Sequence, residues 1–213
     1  MLRLARQLSV LVLCACASAA ASAEHIDFND HDAFAWSGQS IESGGFSFLA
    51  LEVGTLGFIS VDAQPDIVGN GSRRLLSGNN TEIVMTKADG GTFDLLGLAY
   101  GGSFVDQQFR WADSIEILGR SVSGRVVSRS QIGLAGLRPE PSYASFSDFT
   151  GVQSVLFRPM KLGSNPGNNF EFVLDDIRVS AVPEPDSWIL LSAGLAGLAI
   201  AYRLRRGSTA RSA

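Results

Sequence analysis

Apolar residues in this 213-residue chain recur at every second position in short runs, a period that confines most of it to β-strands. Phe46-Ser47-Phe48-Leu49-Ala50-Leu51 and residues 56–61 read as the first clear strands. Residues 81–86, 92–100, 114–118, 122–129, 152–157 and 170–179 follow. Between them lie turn formers: Gly69-Asn70-Gly71-Ser72, Gly78-Asn79-Asn80, Asp89-Gly90-Gly91 and the polar stretch 163–169. From Glu24 to Val182 no stretch keeps a three-to-four residue apolar period long enough for a long helix. Strands at this density predict an all-β sandwich or barrel.

The last run carries an irregularity. Phe170, Phe172 and Leu174 share one parity, whereas Ile177 and Val179 have the other, and Asp175-Asp176 stands at the change. A one-residue β-bulge at that point brings both apolar sets onto one buried face.

The two ends follow a different logic. Arg3 and Arg6, an apolar stretch from Leu8 to Ala17 and the small residues Ala19-Ala20-Ala21-Ser22-Ala23 make a secretory signal peptide over residues 1–23, with Glu24 as the mature N-terminus. Both cysteines, Cys14 and Cys16, fall inside it, so the mature domain is held without disulfides. At the other end Pro183-Glu184-Pro185 precedes an apolar run, 187–202, with Trp188 and Tyr202 near its limits and Arg203, Arg205 and Arg206 beyond. The prolines keep the motif extended. The run enters a membrane as a short transmembrane helix, interfacial aromatics suit its ends, and the arginines stop transfer on the cytoplasmic side. The organisation expected is therefore a signal peptide, a β-sandwich domain over 24–182 and a sorting and anchoring tail over 183–213.

That tripartite tail resembles the PEP-CTERM sorting signal of Gram-negative bacteria. The resemblance implies export across the inner membrane, transient anchoring, and processing at Pro183-Glu184-Pro185 by an exosortase-type membrane protease. It also implies delivery to the cell surface or an exopolysaccharide matrix. Separately, Phe172-Val173-Leu174-Asp175-Asp176-Ile177-Arg178-Val179 resembles the closing strand of galactose-binding-like jelly rolls, many of them carbohydrate-binding modules, and residues 152–157 fit its partner strand there. This second resemblance implies a single jelly-roll-like β-sandwich.

Between Glu24 and Val182 there are 19 acidic and 11 basic residues, so this part carries a charge near 11 − 19 = −8, and nucleic acid is excluded as a partner. Zinc and nucleophilic catalysis lack their patterns: His25 and His31 stand near the mature terminus with no ligand spacing, and no Gly-x-Ser-x-Gly elbow occurs. If the first and last strands are neighbours, Asp27, Asp30 and Asp32 meet Asp175 or Asp176 as candidate ligands for a structural calcium, as the jelly-roll resemblance implies. Adjacent Asp175 and Asp176 are poorly spaced for glycoside hydrolysis. Glycan binding asks less, namely aromatic faces beside amides and carboxylates. Phe104-Val105-Asp106-Gln107-Gln108-Phe109-Arg110-Trp111 offers Gln107 and Trp111, and Trp36 with Gln39 offers a second place. The expectation is a non-enzymatic exported surface or matrix protein with glycan-binding capacity. An extracellular polysaccharide hydrolase and a structural envelope protein without a small ligand are the alternatives.

Overall fold

The computed structural model describes residues 23–30, 32–51, 56–63, 67, 71–134, 140–161, 170–181, 194–195 and 197–199. The chain divides into two compact units, Met1–Val182 and Pro183–Ala213. Residues 1–22 of the expected signal peptide, His31, the Pro183-Glu184-Pro185 motif and the arginines at 203, 205 and 206 lie outside the described residues, whereas Ala23 is described. In the second unit residues 194–195 and 197–199 are helical. Among the described residues no helix is long and apolar enough to cross a membrane.

The first unit is built from β1 (Ala23–Ile26), β2 (Ala33–Trp36), β3 (Ser40–Ser43), β4 (Phe46–Ala50), β5 (Phe58–Asp62), β6 (Arg74–Gly78) and β7 (Ile83–Lys87). There follow β8 (Phe93–Gly101), β9 (Ser114–Arg120), β10 (Val126–Gly133), β11 (Ser142–Ser145), β12 (Ser154–Met160) and β13 (Phe172–Ala181). The first sheet runs β11-β8-β13-β6-β5-β2, with β1 also paired to β13, and the second runs β10-β9-β12-β7-β4-β3. All the strand pairings are antiparallel.

Strand order fixes the topology. β6 pairs β13, β7 pairs β12, β8 pairs β11 and β9 pairs β10, as though one long hairpin had been rolled over into two facing sheets. That is a jelly roll of two Greek keys. β5 and β2 widen the first sheet beyond β6, and β4 and β3 widen the second beyond β7. Facing strands fill one core with Phe28, Phe46, Phe48, Phe93, Phe149, Phe157 and Phe172 among its largest members.

The closing strand behaves as its parity demands. Asp175 pairs with Ala99 and Arg178 with Gly97, so three residues of β13 oppose two of β8. Asp176 takes the extra place with a φ of 48° in the left-handed region, which an Asp tolerates better than most residues. Phe172, Leu174, Ile177 and Val179 consequently all enter the same core.

Three sequence expectations need correction. Of residues 152–157 only 154–157 belong to β12, which pairs β7 and β9 in the opposite sheet and is not the partner of β13, because a rolled hairpin places its last two strands face to face. Strand β10 begins at Val126 and not at 122, since residues 121–125 close a turn with Ser121 N donating to Arg125 O at 2.9 Å and Gly124 at φ 78°. Strands β1, β2, β3, β6 and β11 were not foreseen. Four of them are only four residues long, and β6 shows no alternation because every one of its residues is buried.

Candidate functional site

The outer face of the first sheet is where large apolar side chains leave the core. Residues directly opposite across strands share a face. The pairs Trp36 with Phe58, Phe34 with Ser60, Ser60 with Leu76, Asp62 with Arg74 and Leu76 with Val173 therefore lay out that face from edge to centre. Its centre is covered: Ile67, Leu76, Trp111 and Val173 form a second small core, with Phe58, Phe104 and Val105 packed against it. Trp111 reaches there because Gly102 lets its ring lie against the backbone; a Cβ at Gly102 would stand 1.9 Å from the indole.

Toward the β2 edge the cover ends. Phe34 is 52% exposed and Trp36 50% exposed. Phe58 stacks on Phe34 at 5.3 Å between centroids, and Trp36 meets both rings edge-on, at 4.9 Å and 6.2 Å. The backbone N–H of Trp36 donates to Gln39 Oε1 at 3.1 Å, which ties the ring-bearing strand end to its turn. Next to the rings lies a shallow depression of about 430 Å³ lined by Asp32, Ala33, Phe34, Ser60, Val61 and Asp62. At its rim Arg73 Nε donates to Asp32 Oδ1 at 2.8 Å. Apolar rings, two carboxylates, a hydroxyl and a guanidinium thus share one open surface.

The other glycan expectations are revised. Trp111 is only 6% exposed, its Nε1 donates to Phe104 O at 3.0 Å, and it belongs to the second core. Gln107 Oε1 accepts from Arg110 Nη1 at 3.0 Å and stays half-buried. The exposed ring of that stretch is Phe109, two residues before Trp111, and sequence reasoning passed over it.

The aspartates named for calcium are partly brought together and then diverted. β1 does lie beside β13, with Ile26 opposite Ile177. Asp176 Oδ1, however, contacts His25 Nε2 at 3.0 Å, Asp27 Oδ1 accepts from Asn29 N at 3.2 Å, and Asp32 pairs with Arg73. Hydrogen bonds from the Asn29 side chain and then its backbone N–H hold the Asp27 carboxyl below its ordinary pKa. Asp30 is exposed. Among the described residues no three His, Cys, Asp or Glu side chains gather in a metal-binding group. Asp175 is buried. Ser72 Oγ donates to its Oδ2 at 2.7 Å and the Asp176 N–H to its Oδ1 at 2.8 Å, yet loss of solvent outweighs these bonds and pushes its pKa up to about 6.

The strand order defines the class of the domain, a jelly-roll β-sandwich. The chain as a whole is further marked by its tail: residues 181–206 match the PEP-CTERM protein-sorting motif, and a chain bearing that motif is an exported protein. No curated protein matches the chain significantly in sequence. Solved structures with a similar strand arrangement include the carbohydrate-binding module CBM29_1 from Piromyces equi, at 7% identity and a TM-score of 0.38, covering 71% of this chain and 91% of the module. A variant of the CBM29-2 module gives 10% identity and 0.38, over 70% and 86%. A cleaved adhesin domain of Lys-gingipain from Porphyromonas gingivalis gives 10% and 0.36, over 74% and 98%.

Proposed function

We propose that this protein is a non-catalytic component of the bacterial surface or extracellular matrix that binds a neutral polysaccharide through Phe34, Trp36 and Phe58. The single observation that carries the reading is the half-exposed aromatic group beside Asp32, Ser60 and Asp62, on a sheet face whose centre is covered by its own second core. Aromatic faces pack on the C–H faces of sugar rings while carboxylates and hydroxyls accept or donate to sugar hydroxyls. Charge selects the ligand: with 19 acidic and 11 basic residues between Glu24 and Val182, the domain repels polyanionic glycans.

The tail supports a delivery route. The signal peptide 1–23 directs export across the inner membrane of a Gram-negative host, the run 187–202 with Arg203, Arg205 and Arg206 anchors the chain for a time, and an exosortase-type protease acts at Pro183-Glu184-Pro185. The domain 24–182 is then the released or surface-retained product.

Affinity electrophoresis of the full chain against glucomannan, hydroxyethyl cellulose and alginate tests the binding reading. Retardation by a neutral polymer, absent with alginate and weakened about tenfold by Trp36→Ala, is expected. Equal retardation of parent and Trp36→Ala would remove the site.

A further inference from the structure

We infer that the segment 102–111 supplies a second aromatic subsite at Phe109, so that the ligand lies across the strands of the first sheet as a polymer and is not held as a single sugar. This rests on the glycan reading of the Phe34–Trp36 surface.

Phe109 is 64% exposed, on the short 3-10 turn Gln108–Arg110. Exposure of a Phe on a fraying loop means little, but this loop is held from several sides. Gln107 N donates to Phe104 O at 3.0 Å and Trp111 N to Gln108 O at 3.1 Å. Glu171 N donates to Arg110 O at 2.9 Å, and Ala112 N to Glu171 O at 3.0 Å, which ties the loop's end to the start of β13. The Arg110 guanidinium pairs with the fully buried Glu171 carboxylate and lies 5.3 Å over the Phe104 ring. Trp111 locks the base against Gly102. An apolar ring presented on so fixed a support is preorganised for contact, and the cost of ordering it on binding is already met by the fold.

The loop and the first surface are physically continuous. Phe104 and Val105 pack against the same second core as Phe58, and Phe58 stacks on Phe34. The face from β2 through β5 and β6 to β13 crosses three strand spacings, about 14 Å, more than one sugar ring covers. Asp106 and Gln108 are exposed beside Phe109 and supply hydroxyl partners. A neutral chain of several residues fits this width and this charge.

The experiment measures affinity of the full chain for manno- and gluco-oligosaccharides of increasing length and for glucomannan, in the parent, Trp36→Ala, Phe109→Ala and Phe109→Tyr. In the parent, affinity should climb with oligosaccharide length. Phe109→Ala should abolish that climb and weaken polymer binding about threefold to tenfold while leaving the shortest oligosaccharide unchanged, with Phe109→Tyr close to the parent. Trp36→Ala should weaken every ligand. Because Phe109 is exposed, its truncation leaves the thermal melt in place, and a matching melt confirms that folding is intact. Parent-like length dependence in Phe109→Ala, with Trp36→Ala impaired, would overturn the second subsite alone. If neither substitution changes binding, the glycan reading falls and this inference with it.

Discussion

Asp175 makes a measurable statement about the core. Its carboxyl is buried at the bulge of β13, where burial raises its pKa from the ordinary 3.8 to about 6. At about 1.4 kcal/mol per pH unit, that difference is a penalty of about 3 kcal/mol on the ionised form. The folded state holds the proton more tightly than the unfolded chain, so the penalty is absent below 3.8, grows as pH rises toward 6 and is complete above it. Asp175→Asn removes the charge and keeps the geometry: its side-chain oxygen still accepts the Asp176 N–H, and its amide donates to Ser72 Oγ, whose hydroxyl turns from donor to acceptor. Arg74 nearby loses a favourable charge, which takes back part of the gain. The variant should therefore be more stable than the parent by about 1–2 kcal/mol at pH 7.5, or about 2–8 °C in melting temperature for a domain of this size. Urea unfolding followed by the fluorescence of buried Trp111 at pH 4, 5, 6 and 7.5 reads this directly, and the parent–variant difference cancels titrations common to both. The advantage should vanish by pH 4. A variant less stable than the parent by 1 kcal/mol or more at pH 7.5 would show that the Asp175 charge is net favourable and refute the reasoning.

Two further outcomes follow from the bulge and the tail. Deleting Asp176 should turn Ile177 and Val179 out of the core at about 1.5–3 kcal/mol each, abolishing soluble expression, whereas Asp176→Gly keeps the left-handed position and should shift stability by less than about 1 kcal/mol; a deletion variant with a parent-like melt would count against the register argument. Intact mass of the chain from a host with an active exosortase should begin at Glu24 and end within 183–185, and a membrane form retaining Arg205 in that host would contradict the processing proposal.

Legibility in the sequence followed the range of the interaction that decides each feature. Strands with one face buried announced themselves by alternation, as at 46–51 and 170–179, and even the bulge at Asp175-Asp176 was readable, because a parity change is a local record of which side faces the core. Strand β6 escaped because it is buried on both faces, and the cover on its outer side, Ile67 and Trp111, comes from segments distant in sequence or outside any strand. Phe109 and Trp111 show the same limit within one stretch. Both are large aromatics two residues apart, but Gly102 and the outer face of β13 draw Trp111 inward, and nothing local marks Phe109 as the one left out. The calcium expectation likewise anticipated the neighbourhood of β1 and β13 but not the His25, Asn29 and Arg73 partners that occupy the carboxylates.

What the sequence determined by itself was the β class, the period of the core-facing residues, and the sorting tail, whose motif is a short linear pattern complete within 181–206. The tertiary structure alone decided the jelly-roll pairing of β6 with β13 and β7 with β12, and which aromatics reach solvent. Those outcomes depend on residues about 70 to 100 positions apart competing for the same two faces of a sheet, a competition resolved only when the strands are assembled.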